Sequence, residues 1–169
     1  MKRYLFIGIY LIFSGCSVNP VTGKQDFVMM SETQEIAMGK RYHSQVLQQM
    51  PPYQDDELQE YVQSIGDSLS TKSHRPNLFY RFTVLDSPDI NAFALPGGYI
   101  YINRGLMAYL SSEEELAAVL GHEIGHVTAR HSVRQYSQSQ LLGILSTAIE
   151  MNQGRSAGNL ANLASGKID

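Results

Sequence analysis

One cysteine in 169 residues excludes an intramolecular disulfide framework, and with it any CxxC-type zinc or redox site. Basic charge is not in excess. The chain carries 13 Lys and Arg against 16 Asp and Glu, a net charge of −3, so the electrostatic footprint of a nucleic-acid binder is missing and no nucleic-acid partner is expected. No apolar run approaches the roughly 20 residues that a membrane-spanning helix needs. Internal repeats and low-complexity tracts are also lacking. What is left is a globular composition, 43% apolar and 17% charged, of a length suited to one domain. With cysteine chemistry set aside, a reaction here has to run on His, Asp, Glu and hydroxyl groups.

Met1-Lys2-Arg3 is a positive n-region, and the apolar run from Tyr4 to Phe13 that follows has the length of a signal-peptide h-region. It leads through Ser14-Gly15 into Cys16. This resembles a bacterial lipobox, with Phe13 where such motifs more often carry Leu. The resemblance implies cleavage before Cys16, a diacylglyceryl group on its thiol and membrane attachment through that anchor. Ser17, in place of an Asp, then implies the periplasmic face of the outer membrane. A conventional signal with an incidental cysteine is the alternative. The expected organisation is a lipoprotein signal peptide over residues 1–15, a lipidated tether over 16–30 and a folded domain over 31–169.

Ser31-Glu32-Thr33-Gln34 has capping-box spacing and predicts a helix to about Met50, stopped by Pro51-Pro52. A second helix starts near Asp55 or Asp56, with Leu58, Tyr61, Val62, Ile65 and Leu69 on one apolar stripe. The period then changes. Residues 78–85 read as a strand, Ala92-Phe93-Ala94 as a short extended piece, and Tyr99-Ile100-Tyr101-Ile102 as an alternating strand at a sheet edge. Turns at Ser87-Pro88-Asp89 and Pro96-Gly97-Gly98 separate them. Helices, a small sheet and helices again make the class α+β.

Ser111 or Ser112 can cap the next helix, and Glu113, Glu114 and Glu115 suit the positive end of its dipole. At about 100° per residue, Leu116, Val119, Leu120, Ile124 and Val127 share one buried arc, with His122 and His126 one turn apart at its edge. This is an HExxH pattern. Two imidazoles at i and i+4 can point nitrogens at one Zn²⁺, while Glu123 projects beside them, placed to miss the metal and act as general base on a zinc-bound water. Gly121 and Gly125 flank the motif at a cost of roughly 1 kcal/mol each relative to Ala.

Taken together, Cys16 with Asn19-Pro20-Val21-Thr22-Gly23, the stretch from Ser87 through Asn91-Ala92-Phe93 to Pro96-Gly97-Gly98, and Gly121 to His131 resemble one zinc metallopeptidase family. It is the family that includes the CAAX prenyl proteases, HtpX and the mitochondrial Oma-type peptidases, and the likeness is strongest to its periplasmic lipoprotein branch, the BepA and LoiP type. The resemblance implies a zincin-like fold, helices around a small, mainly antiparallel sheet with HExxH on a central helix. It implies His122 and His126 as ligands of one Zn²⁺ per chain, Glu123 as catalytic base, and unfolded or misassembled envelope proteins as substrates. It also implies that Asn91, Ala92, Phe93, Gly97, Gly98 and Tyr99 border the cleft. There the strand from Gly97 to Ile102 either holds an extended peptide along its edge or is an ordinary half-buried edge strand.

The family's third zinc ligand is a glutamate on a later helix, in a Glu-x-x-x-Asp-like context, with a supporting histidine beyond it. After His126 the acidic residues are Glu150 and Asp169, and neither has that context. Glu150 reads as a solvated helix end. The third ligand is therefore expected beyond residue 169, which makes residues 31–169 the N-terminal part of a metallopeptidase domain. Ser132 stands where the metzincin pattern puts its third histidine. On a continuing helix His131 points about 140° away from His126, into the apolar arc, and reads as a core or supporting residue rather than a ligand. His43 and His74 read as isolated surface residues. Three functional readings remain. One is a zinc endopeptidase of the cell envelope; another is a non-catalytic, binding or chaperone-like lipoprotein that keeps the fold without a complete zinc site; the third, supported only by the leader, is a membrane-anchored structural protein.

Overall fold

The computed structural model describes residues 16–18, 21, 23, 25–140 and 142. The signal-peptide expectation over residues 1–15 and the reading of Glu150 lie outside them. The described residues up to Arg134 belong to one compact unit, and those from Gln135 onward to a second, described as helix over residues 135–140 and at 142.

Three helices begin where short side chains can accept an otherwise unpaired amide. Ser31 caps α1 (Glu32–Gln49) in a full capping box: its hydroxyl accepts from Gln34 N, while Gln34 Oε1 accepts from Ser31 N. Asp55 caps α2 (Asp56–Ser70) by accepting from Leu58 N at 2.9 Å. α3 (Arg104–Met107) is a single turn that the sequence pattern does not announce. Ser112, rather than Ser111, caps α4 (Glu113–Thr128), and Glu115 Oε2 accepts from Ser111 N at 2.6 Å. On α2 the apolar stripe holds, with Val62 fully buried and Leu58, Ile65 and Leu69 packed against the core. Tyr61 is the exception. It stays exposed, and its O–H donates to Glu113 Oε2, tying α2 to the start of α4.

The strands are β1 (Cys16–Val18), β2 (Gln25–Phe27), β3 (Arg81–Leu85), β4 (Ala92–Leu95) and β5 (Tyr99–Asn103). β1 and β2 pair antiparallel within the segment read as a tether. The other three form a sheet in the order β3-β5-β4. It is mixed, not mainly antiparallel: β5 runs parallel to β3 and antiparallel to β4. The class is α+β as expected, but the expected edge strand, Tyr99 to Ile102, is the central one. The reason is burial on both faces. Ile100 and Ile102 join the core while Tyr101, pointing the other way, is also fully buried, and only a central strand is covered so completely. The alanines of β4 leave it half-buried at the margin.

Val62, Phe82, Val84, Ile100, Ile102, Leu116, Leu120, Ile124 and Val127 fill the space between one face of this sheet and helices α2 and α4. The close fit of α2 depends on Gly66, where an added Cβ would run into the Phe82 ring. The outer side of β3 is closed by two glutamines of α2. Gln59 both donates to and accepts from the backbone of Val84, and Gln63 accepts from Phe82 N and donates to Tyr80 O. These amides occupy the hydrogen-bonding places that another strand would take, which leaves β4 as the open edge of the sheet among the described residues.

Candidate active site

α4 brings the chemistry together. Its apolar arc anchors it through Leu116, Leu120, Ile124 and Val127, and this fixes the rotation that lifts His122 to the surface with His126 half-buried beside it. Nε2 of His122 and Nε2 of His126 stand 3.0 Å apart with their rings edge to face. Two imidazole nitrogens turned toward each other at that separation suit a pair of ligands on one small cation. Gly121 and Gly125 are exposed with no heavy atom near where a Cβ would stand, so the helix surface beside the imidazoles is open.

Glu123 is 8% exposed and makes no hydrogen bond or ion pair among the described residues. Buried carboxylates are normally paired, because desolvating an unpartnered charge is costly. The oxygens of Glu123 keep contact with solvent all the same. Among the described residues only Asn103 Oδ1 is a fully occluded side-chain oxygen without a partner. An unpaired carboxylate with a dry stem and a wet tip, next to two metal-type imidazoles, is suited to taking a proton from water.

These donors fit two positions of a zinc site. Among the described residues no third His, Cys, Asp or Glu completes a metal-holding group with them. His131 comes near without joining. The helix expected to continue through it ends at Thr128, because Arg130 takes a left-handed backbone with φ of 53°. A second helical run begins at residue 131. His131 is consequently exposed rather than turned into the apolar arc, and its Nδ1 lies 2.7 Å from Nδ1 of His126.

Behind the site sits a group that the sequence reading did not single out. Glu35 of α1 is 1% exposed, and its carboxylate receives Arg75 Nη1 at 2.8 Å, Arg130 Nε at 2.9 Å and the Gly97 amide at 3.4 Å. Arg75 also donates to Glu32 and to Val127 O near the end of α4, while Arg130 Nη2 donates to Met30 O. Burial disfavours charge on Arg75, but its bonds to Glu35 and Glu32 outweigh this and raise its pKa. The partners are 40 and 95 residues from Glu35 in the chain, so no spacing pattern could reveal them.

His43 corrects another expectation. It is not isolated: its ring stacks on Tyr99 at 4.5 Å, and its Nδ1 lies 2.7 Å from the Tyr101 hydroxyl. Burial, then Arg81, lowers the His43 pKa, and burial raises that of Tyr101, so the contact joins a neutral imidazole to a protonated phenol. His74 is exposed as expected.

Of the residues expected to border the cleft, Asn91, Ala92 and Phe93 lie at or on the open edge strand β4, against which α4 packs. Gly97 and Gly98 form the β4–β5 turn, and Tyr99 begins the central strand. Asn103 N donates to Asn91 O, which makes that pair a hydrogen-bonded one. Alternation along the ladder then turns the backbone groups of Ala92 and Ala94 outward. A small recess between Ala94–Pro96 and the end of α4 reaches His126. A larger cavity, about 630 Å³, lies elsewhere, along α2 and β3, and is lined by none of the motif residues. Cys16 pairs with Phe27 in the β1–β2 ladder, and no helix among the described residues is long and apolar enough to cross a membrane.

Comparison with known proteins returns the same motif-bearing region. Residues 56–166 match the model for Peptidase family M48. The chain is 35% identical to the beta-barrel assembly-enhancing protease of Yersinia pestis, over 75% of this chain and 26% of that protein. It is 34% identical to the protein of the same name from Escherichia coli, over 66% of this chain and 23% of the relative. Identity is 29% with the mitochondrial metalloendopeptidase OMA1 of Schizosaccharomyces pombe, over 76% and 39%. The chain thus spans about a quarter of the length of the two bacterial relatives.

Proposed function

The chain belongs to peptidase family M48, and from that membership we propose that it is a zinc-dependent endopeptidase of the bacterial cell envelope, acting on misfolded or misassembled proteins. The observation that carries this reading is the 3.0 Å approach of the His122 and His126 Nε2 atoms beside the Glu123 carboxylate, which is unpaired among the described residues. His122 and His126 would hold the metal, its third protein donor coming from outside the described residues. When bound, zinc supplies Lewis acidity that polarises the scissile carbonyl and acidifies water. Glu123 takes the proton of the attacking water and delivers it to the departing amide nitrogen, so that one peptide bond and one water become a carboxylic acid and an amine. The outward N–H and C=O groups of Ala92 and Ala94 pair with the backbone of an extended substrate, which holds it along β4 without demanding a particular sequence. An unfolded chain can offer such a strand; a folded one has its strands already paired.

Metal removal tests the reading. A zinc chelator is expected to abolish cleavage of unfolded casein by the full chain, and one equivalent of zinc per chain should restore it. Cleavage that persists in chelator would refute the assignment. Binding of casein with neither cleavage nor zinc uptake would establish the non-catalytic alternative instead.

The lipid anchor on Cys16 belongs to the same proposal, with attachment to the periplasmic face of the outer membrane. The intact mass of protein extracted from membranes is expected to correspond to a chain starting at Cys16 with acyl groups added. An unmodified Cys16 thiol in that material would rule the anchor out.

A further inference from the structure

We propose that His131 is a positioning residue for the metal site. It accepts the Nδ1 proton of His126 and so keeps that imidazole in the tautomer whose Nε2 lone pair is available to a metal. The proposal rests on the peptidase reading and deepens it.

The two ring nitrogens of His126 have different neighbours. Nε2 faces His122 at 3.0 Å, and Nδ1 faces Nδ1 of His131 at 2.7 Å, with the rings inclined at 71°. A neutral imidazole carries one proton, and the nitrogen that holds it cannot ligate. If the proton sits on Nε2, the face toward His122 is closed to a cation. If it sits on Nδ1, that face is open. Histidines that bind metals commonly give their second N–H to an acceptor for this reason, and the partner fixes both tautomer and ring plane. In this chain the acceptor is a second imidazole. In the proposed arrangement His131 accepts through Nδ1 and carries its own proton on Nε2.

Helical spacing would not produce this contact, because a residue five positions on points about 140° away. The left-handed backbone at Arg130 produces it, and a non-glycine residue holds that conformation only when its surroundings compensate. The compensation is visible: Arg130 Nε is bound to the buried Glu35 carboxylate and Nη2 to Met30 O. The ion network behind the site therefore sets the backbone, and the backbone sets the imidazole against its neighbour. Because His131 is exposed, its replacement removes little packing.

The experiment uses the full chain with His131→Ala and His131→Asn, the Asn Oδ1 standing where the histidine Nδ1 stood. Zinc affinity is measured by competition with a chromophoric chelator, and stability by urea unfolding of the metal-free protein. The expected result is a loss of zinc affinity of about 10–100-fold in His131→Ala, recovery of most of it in His131→Asn, and an unfolding midpoint unchanged in both. An alanine variant with the parent's affinity overturns the proposal while leaving the peptidase reading intact. So does an asparagine variant as weak as the alanine one, which would assign His131 a role without a proton acceptor. A parent protein that takes up no zinc overturns the peptidase reading, and this proposal with it.

Discussion

Replacing Glu123 by Gln is expected to reduce kcat/KM for an unfolded protein substrate by at least about 10²–10⁴-fold, the range that a lost general base commonly costs. The amide has the shape of the carboxylate but cannot take up a proton. His122 and His126 are untouched by the change, so zinc content should remain that of the parent, whereas His122→Ala should lose zinc and activity together. Glu123 is 8% exposed and unpaired among the described residues, with its oxygens in contact with solvent, so the amide breaks no bond and fills the same space. The Tm of Glu123→Gln should therefore stay close to that of the parent. Activity within twofold of the parent would remove Glu123 from the mechanism. A large fall in Tm would show that its burial is compensated by something other than catalysis.

Glu35→Ala is expected to lower the free energy of unfolding by about 3–5 kcal/mol. That magnitude follows from what the substitution strands. Arg75 and Arg130 have side chains only 9% and 12% exposed, and both lose a carboxylate at 2.8–2.9 Å. Each would then be a nearly buried guanidinium short of its carboxylate partner. The natural control is Glu32→Ala, which removes a second bond to the same Arg75. Glu32 is 62% exposed, so that pair sits in water and its loss should cost under about 1 kcal/mol. Urea midpoints of the two variants measured side by side decide the matter. Equal and small losses would mean that the two arginines find solvent or other acceptors when Glu35 is gone, and that the network is not what holds α1 against the end of α4.

Both predictions concern carboxylates that a count of acidic residues treats alike, and their surroundings were unequally legible. The placement of Glu123 beside the two imidazoles could be read directly, because HExxH places its three polar residues on one helix and a helix has a fixed angle per residue. The caps were legible for the same reason: Ser31, Asp55 and Ser112 each act on an amide three residues away. The α+β class followed from changes of period along the chain, and the pattern on α4 correctly separated its buried face from its imidazoles.

What the tertiary structure alone decided has a common physical cause: each case depends on a partner distant in the chain. Alternation identifies Tyr99–Ile102 as a strand, but whether it lies at the edge or the centre depends on what covers Tyr101, and His43, 58 residues away, is part of that cover. The acidic residues Glu32 and Glu35 both suit the first turn of α1, yet only the second is enclosed by arginines from remote segments. His131 turns on a single backbone angle. Local propensity would carry the helix through residue 130, and the bond from Arg130 to Glu35, spanning 95 residues, holds the left-handed turn that ends it. Periodicity encodes interactions within a few residues, where geometry is set by the helix or strand itself. Contacts across tens of residues are selected by the packing of the whole unit, and here they determine which side chains stand behind the two histidines that the sequence had already brought together.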